Sequence, residues 1–466
     1  MQIPWWGVVP FVALLACIAT LPLFERTGHL WERRGFQLAV ALSLGGPVAV
    51  WMWAVGEHAA VIHALVEYVQ FVTLLGSLYV VSGGIALVGD LRATPRNNTL
   101  FLAFGALIAS FVGTTGAAML LIRPLLNTNS ERAYKVHTVV FAIFTVANCG
   151  GLLTPLGDPP LFLGMLRGVP FNWTFTLFWQ WLFVNGLLLG LYYALDRLAY
   201  SREAPAAIEW DAEAVTPLRV RGTLNFVLLA AVVAAVAFAP SLDLHAIEEG
   251  HADWTAFVPW RELGMLAAAA ASYFGTSRTV RFVTNKFDWA AMQEVAALFV
   301  GIFLAMIPAL KVLAEAAPKL PLNELTFFVF TGGLSALLDN APTYATFFEM
   351  AATLPGDPRI AGVPASYLTS ISLGAVFCGA TTYIGNGPNF MVKSIAESAR
   401  VAMPSFGGYL LWSGRYLVPV LAAMACLFIA DGWVAKGLGV LIILGYAGLA
   451  VSLVRRSRQG VRPDER

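Results

Sequence analysis

Apolar runs of about twenty residues recur along almost the whole chain, and that spacing leaves few folds open. A helix needs about 20 mainly apolar residues to cross the hydrocarbon core of a bilayer. Such runs lie at roughly 5–24, 35–55, 70–89, 138–167, 173–195, 223–240, 260–276, 289–310, 367–397, 408–430 and 434–454. Composition agrees, with 58% hydrophobic and 12% charged residues among 466. The chain therefore reads as an all-α polytopic membrane protein, with the lipid bilayer as its main solvent. A formal net charge of +1 and the lack of a basic arm exclude nucleic acid as an expected partner. No Walker loop supports ATP drive. The four cysteines have no CxxC spacing and the six histidines no HExxH pattern, so a metal enzyme is not expected either. The N-terminal run lacks a basic n-region and is expected to be a retained first span.

Two further apolar stretches, 98–126 and 325–352, are interrupted centrally by "GTTGA" (113 to 117) and "DNAPT" (339 to 343). They are expected to be re-entrant hairpins, giving about 11 spans plus 2 hairpins. Charge tests this topology, because cytoplasmic loops collect Lys and Arg. With the hairpins returning to their own side and the N-terminus outside, 22 of the 29 Lys and Arg fall on the cytoplasmic side and 6 outside, Arg167 among the latter. The C-terminus is then cytoplasmic. Trp5, Trp6, Trp51, Trp53, Trp179, Trp181 and Trp412 lie near span ends and are expected to form an interfacial aromatic belt.

The hydrophilic segment 196–222 divides the spans into two similar halves, each with an interrupted hairpin followed by a span broken by Gly and Pro. The breaks correspond at an offset of 228: Gly151 with Gly379, Thr154 with Thr382, Gly157 with Gly385, Asp158 with Asn386, and Pro160 with Pro388. Gly150, Pro159 and Gly387 complete the helix-breaking set. The first half starts outside and the second inside, so the repeats are inverted. The expected organisation is a first repeat over 1–195, a cytoplasmic linker over 196–222, a second repeat over 223–430, and an added span with a basic tail over 431–466.

Paired breaks in inverted repeats mark the binding site of a secondary transporter. Irregular backbone at membrane depth costs several kcal/mol per unpaired group unless it faces protein, water or an ion. Asp158, in "GDPP", is the sharpest candidate, since an Asp near the midplane costs roughly 2.5–3.5 kcal/mol on insertion scales. It either binds a cation or carries a proton, or it caps the half-helix that Pro159 begins. Asp339 and Asn340 occupy the tip of the second hairpin, with Thr343 beside them, and have the same two readings. Thr114 and Thr115 supply hydroxyls at the first tip. Asn148, Thr154, Thr381, Thr382, Asn386 and Asn389 complete an oxygen and amide set suited to a small hard cation. A Na⁺ site is expected at Asp158, Asn148, Asp339 and Asn340. No nucleophile–base constellation supports an enzyme, and no residue is assigned a catalytic role.

The segments "VANCGGLLTPLGDPPLFLGMLRGVPF" (146 to 171), "LSALLDNAPTYATFFEMA" (334 to 351) and "GAVFCGATTYIGNGPNFMVKSIAE" (374 to 397) together resemble the ion-transporter superfamily. Within it, the chain is similar to the branch of citrate transporters and D-type bacterial sodium/proton antiporters. The resemblance implies inverted repeats, hairpins entering from opposite faces, a homodimer, and a transport part that moves as an elevator against a scaffold in the bacterial inner membrane. It implies a site at Thr114 and Thr115, Asn148 through Asp158, Asp339 through Thr343, and Thr381 through Asn389. Carboxylate carriers of the superfamily often show Ser-Asn-Thr at both tips, where this chain has "GTT" and "DNAPT". No Lys or Arg lies within either break, and that charge balance favours a cation and a proton. The expectation is Na⁺/H⁺ antiport, with Na⁺ and H⁺ as coupling ions and no other cofactor. The alternative is a Na⁺- or H⁺-coupled citrate or dicarboxylate carrier, ahead of an arsenite-type efflux carrier, a channel or an intramembrane enzyme.

Overall fold

The computed structural model describes residues 3–23, 25–31, 33–213, 215–244, 247, 250–251 and 253–459. It is built almost entirely of helices. In chain order, α1 (Val9–Thr20), α2 (Arg34–Ala54) and α3 (His58–Ser82) lead through strand β1 (Ala86–Asp90) to two helices that meet end to end, α4 (Pro95–Val112) and α5 (Thr114–Thr128). The first broken segment is α6 (Val136–Thr145), a 3-10 turn (Cys149–Leu153) and α7 (Pro159–Leu166). It is followed by α8 (Phe178–Tyr200), α9 (Pro205–Glu213) and β2 (Thr216–Arg221). The second half runs α10 (Leu224–Phe238), α11 (Trp260–Gly275), α12 (Ala290–Ala316), then the pair α13 (Glu324–Leu337) and α14 (Asn340–Ala352). After the short strands β3 (Arg359–Ile360) and β4 (Val363–Pro364) comes the second broken segment, α15 (Ala365–Cys378), a 3-10 turn (Gly379–Thr381) and α16 (Gly387–Ser398). Helices α17 (Phe406–Tyr416), α18 (Val418–Met424) and α19 (Trp433–Gln459) end the chain's described part.

Among the described residues, seven helical stretches are long and apolar enough to cross a membrane, and four shorter apolar helices accompany them. The chain is an all-α, multi-pass membrane protein. Of the eleven expected spans, those at 5–24, 223–240 and 260–276 form shorter helices, and the run at 367–397 is split into two half-helices. The run at 138–167 is also split, though its first part, Val136–Leu153, is still long enough to cross.

Packing sorts the helices into two bundles. In the first, α2 and α3 pack on α12, α11 packs on α3 and α10, and α1 lies on α2 and α12. Phe71 stacks on Phe299 at 4.8 Å between ring centroids inside it. The second bundle holds both hairpins, both broken segments, α8, and α17 through α19. The stretch Val136–Leu153 is 94% buried, so a helix apolar on every side is here a core helix; α19 is 11% buried and forms the periphery. The two bundles meet where α12 packs on α14 and where α3 packs on α5 and α7.

Two local expectations differ from the structure. The apolar run 70–89 ends as a helix at Ser82, and Ala86–Asp90 pairs antiparallel with Thr216–Arg221 of the expected linker. Glycine causes both changes. A Cβ on Gly222, at φ +78, would lie 1.9 Å from the Gly84 carbonyl oxygen, so only glycine lets the segments approach. Asn225 then donates through Nδ2 to the carbonyls of Gly84 and Gly222, each at 2.9 Å.

Each break rests on an equally close backbone crossing. A Cβ on Gly157 would lie 2.0 Å from Gly151 O, and one on Gly385 would lie 2.6 Å from Gly379 O. Gly157→Ala and Gly385→Ala are expected to destabilise the protein by about 1–3 kcal/mol or more through overpacking against backbone. Gly186→Ala, where a Cβ meets nothing within 4 Å, serves as the neutral comparison. Thermal melts of the purified variants check the order.

Candidate ion-binding site

Freed backbone groups must be paired before a broken helix can sit inside a bundle. In the first break, Ser110 donates from Oγ to Gly150 O at 2.5 Å, and Thr154 donates from Oγ1 to Ser110 O. Trp181 and Asn185 of α8 donate to Gly150 O and Cys149 O at 3.1 and 3.2 Å. The second break repeats the pattern. Ser335 donates to Ala375 O at 2.7 Å and Thr382 to Ala336 O at 2.5 Å. Tyr409 and Ser413 donate to Ala380 O and Thr381 O at 2.9 and 2.7 Å. Trp181 with Tyr409, and Asn185 with Ser413, keep the offset of 228. Sequence reasoning missed these donors. Trp181 is 8% exposed and serves the break rather than an interfacial belt. The signal that could have found it is the continuation of the offset into the following helix.

With the backbone satisfied, side chains are free to meet between the breaks. Asp158 stands at the N-cap of α7 in extended conformation (φ −145°, ψ 142°), yet its side chain caps no N–H of that helix. It turns inward and is 1% exposed. Oδ1 accepts from Thr114 Oγ1 at 3.1 Å and from Asn386 Nδ2 at 3.2 Å, while Oδ2 accepts from Asn340 Nδ2 at 2.6 Å. One carboxylate thus gathers both hairpin tips and both breaks. Asn386, its counterpart, has the same N-cap conformation (φ −154°, ψ 137°) and also leaves its helix uncapped.

Asparagines extend the cluster. Asn148 Oδ1 accepts from Asn386 Nδ2 at 3.1 Å, and its Nδ2 donates to Ile143 O at 2.8 Å and to Asn389 Oδ1 at 2.6 Å. Asn389 in turn donates to Gly379 O and Thr382 O at 2.8 and 2.9 Å. The Asp158 shell is made only of hydroxyl and amide donors; none of its three hydrogen bonds comes from Lys or Arg. Asn340 Oδ1 is buried with no partner among the described residues. Hard cations take carboxylate and amide oxygens as ligands, and an amide oxygen left unpaired beside a buried carboxylate is a candidate pair of that kind. No group of three His, Cys, Asp or Glu side chains converges as a metal cluster among the described residues.

Other residues of the expected set are placed differently. Asp339 is half-buried and accepts from Ala341 N at 3.1 Å, capping α14; no side-chain bond joins it to Asp158. Thr343 donates to Asp339 O at 3.0 Å within its own helix. Thr381 contributes its carbonyl, which Ser413 engages. Thr115 lines a cavity of about 60 Å³ with Thr114, Gly157 and Pro159 on one side and Tyr79 and Met292 of the first bundle on the other. Pro160 and Pro388 lie in the first turns of α7 and α16, where their missing N–H costs nothing.

Paired helix breaks and a buried carboxylate inside one of two helical bundles characterise this polytopic membrane protein. The family model described as "Putative citrate transport" matches residues 1–429, and the chain belongs to that family. Two curated proteins, each named an uncharacterized transporter, are 27% identical over 322 residues, covering 66% of this chain and 71% of theirs. One is from Mycobacterium bovis and the other from Mycobacterium tuberculosis. The chain is a membrane transporter.

Asn148→Ala removes a partner from both Asn386 and Asn389 and is expected to cost about 1–3 kcal/mol of stability. Asp339→Ala removes an N-cap, about 0.5–2 kcal/mol, and leaves the partners of Asp158 intact. Unfolding of the purified variants should show the larger loss in Asn148→Ala.

Proposed function

We propose that the protein is a secondary active carrier of the bacterial inner membrane that exchanges Na⁺ for H⁺ at Asp158. The single observation that carries this reading is the Asp158 shell: a fully buried carboxylate, three neutral donors, and the unpartnered Asn340 Oδ1 beside it. An ionised carboxylate at that depth needs a positive partner, and a proton or Na⁺ supplies one. Turning the Asn340 amide replaces a donor by an acceptor, so one residue serves the carboxylate in one condition and the cation in another. Asn148 and Thr114 supply further oxygens.

Alternating access is assigned to the second bundle, which carries the site and moves as an elevator against the first. The division of the contacts into two bundles supports this. The chain is read as two inverted repeats, with its N-terminus outside, its C-terminus cytoplasmic and a homodimeric assembly. A carrier, rather than an enzyme, is the reading that the family supports.

The second reading is Na⁺- or H⁺-coupled citrate or dicarboxylate transport. The family's description favours it, as does the cavity between the bundles, onto which the first turns of α5 and α7 open.

Proteoliposomes with imposed Na⁺ and pH gradients separate the two. Antiport predicts Na⁺-driven proton release that Asp158→Asn abolishes and Asp339→Asn largely retains. If Asp158→Asn exchanges normally, the assignment is wrong; Na⁺-dependent citrate uptake would promote the second reading. Competition at one carboxylate further predicts that the apparent KM for Na⁺ rises about tenfold per unit as pH falls below the carboxyl's pKa.

A further inference from the structure

Helix α7 carries Asp158 at its N-cap and Arg167 at its C-cap, with eight helical residues, about 12 Å, between them. Helix α14 lies against it and begins at Asn340. The pair is tied at both ends. Asn340 Nδ2 reaches Asp158 Oδ2 at 2.6 Å, and Arg167 Nε reaches Glu349 Oε1 at 3.2 Å. The two ties are nine positions apart on either helix, 158 to 167 and 340 to 349. The Arg167 guanidinium also lies over the Phe348 ring at 6.0 Å.

Arg167 has a second acid. Its Nη2 donates to Glu67 Oε2 at 3.1 Å, and Glu67 belongs to α3 of the first bundle. This ion pair therefore crosses the interface between the bundles. Arg34 with Glu294, Lys311 with Glu57, Arg132 with Asp196 and Lys393 with Glu397 each join residues of one bundle. The Arg167 side chain is 9% exposed, and both acids reach water, Glu67 at 24% and Glu349 at 38%.

A guanidinium so buried cannot be left without an anion, because an uncompensated buried charge is costly. Two acids on one arginine remove that obstacle. If Glu67 departs, Glu349 still neutralises Arg167. Glu349 shares the second bundle with Arg167, whereas Glu67 belongs to the first, so the contact across the interface is the one that relative movement breaks, while the contact within the second bundle persists.

We propose that Arg167 is a positioning residue that latches the second bundle to the first through Glu67, and that it links this latch to the Asp158 site through the α7–α14 pair. In the position seen here Arg167 holds both acids. As the bundles slide, it keeps Glu349 and gives up Glu67. The link to transport rests on the carrier reading proposed above; the latch itself does not.

Glu67→Gln, Glu67→Asp and Glu349→Gln in the full chain, reconstituted in nanodiscs and proteoliposomes, test the proposal. Deuterium uptake is measured for peptides covering α3 and α7, together with the maximum rate and KM of ion-gradient-driven exchange. Glu67→Gln is expected to raise uptake at least threefold in both peptides and to shift the maximum rate at least threefold. Its KM stays within twofold, because Glu67 does not touch the site. Glu67→Asp restores both readouts toward wild type. Glu349→Gln loosens α7 and leaves the α3 peptide protected. Wild-type uptake in Glu67→Gln overturns the latch, and an unchanged maximum rate overturns its link to transport. Should the wild-type protein exchange no ion at all, the carrier reading fails, and the substrate-free deuterium uptake decides the latch alone.

Discussion

The structure depends on a carboxylate that has been taken out of water and given no cationic side chain. Asp158 is stabilised by one hydroxyl and two amides, drawn from elements far apart in sequence. Those four residues can meet only if two helices end in mid-bundle and two hairpins turn there. Every unusual feature nearby serves that requirement. Gly151 and Gly157 bring the backbone strands of the break together. Ser110, Thr154, Trp181 and Asn185 take up the hydrogen-bonding groups that the break releases. The second break is built in the same manner with Ser335, Thr382, Tyr409 and Ser413.

The two halves are alike in how they satisfy backbone and unlike in what they present to the site. Where the first break offers Asp158, the second offers Asn386, and the two are hydrogen-bonded to each other. Where the first tip offers Thr114, the second offers Asn340. Backbone pairing is a requirement of any broken helix in lipid, so it is preserved in both halves. Charge is not required by backbone pairing, and in the proposed exchange a single negative charge suffices for a monovalent cation or a proton.

Much of this was legible in the sequence because it is written in composition and spacing. Runs of apolar residues marked the membrane helices, and the offset of 228 paired Gly157 with Gly385 and Asp158 with Asn386. Side-chain direction was not legible. Asp158 and Asp339 both precede a helix and both carry a proline within the next three residues, yet one caps and the other turns inward. That choice follows from which neighbours fill the space around each tip, a tertiary fact. Trp181 was similarly opaque, since a tryptophan near the start of a span fits an aromatic belt until a freed carbonyl is found beside it. The β1–β2 pair escaped detection because it joins segments more than a hundred residues apart through two glycines whose close approach leaves no periodic pattern.

In the proposed exchange, a proton on Asp158 and a cation beside it exclude one another. Infrared difference spectroscopy of the reconstituted protein, with and without Na⁺ at fixed mildly acidic pH, tests it most directly. Competition at Asp158 predicts that Na⁺ removes a protonated-carboxyl stretch and adds a carboxylate stretch, and that Asp158→Asn abolishes both changes while Asp339→Asn keeps them. A spectrum unaffected by Na⁺, or a Na⁺-induced change that survives in Asp158→Asn, would contradict it.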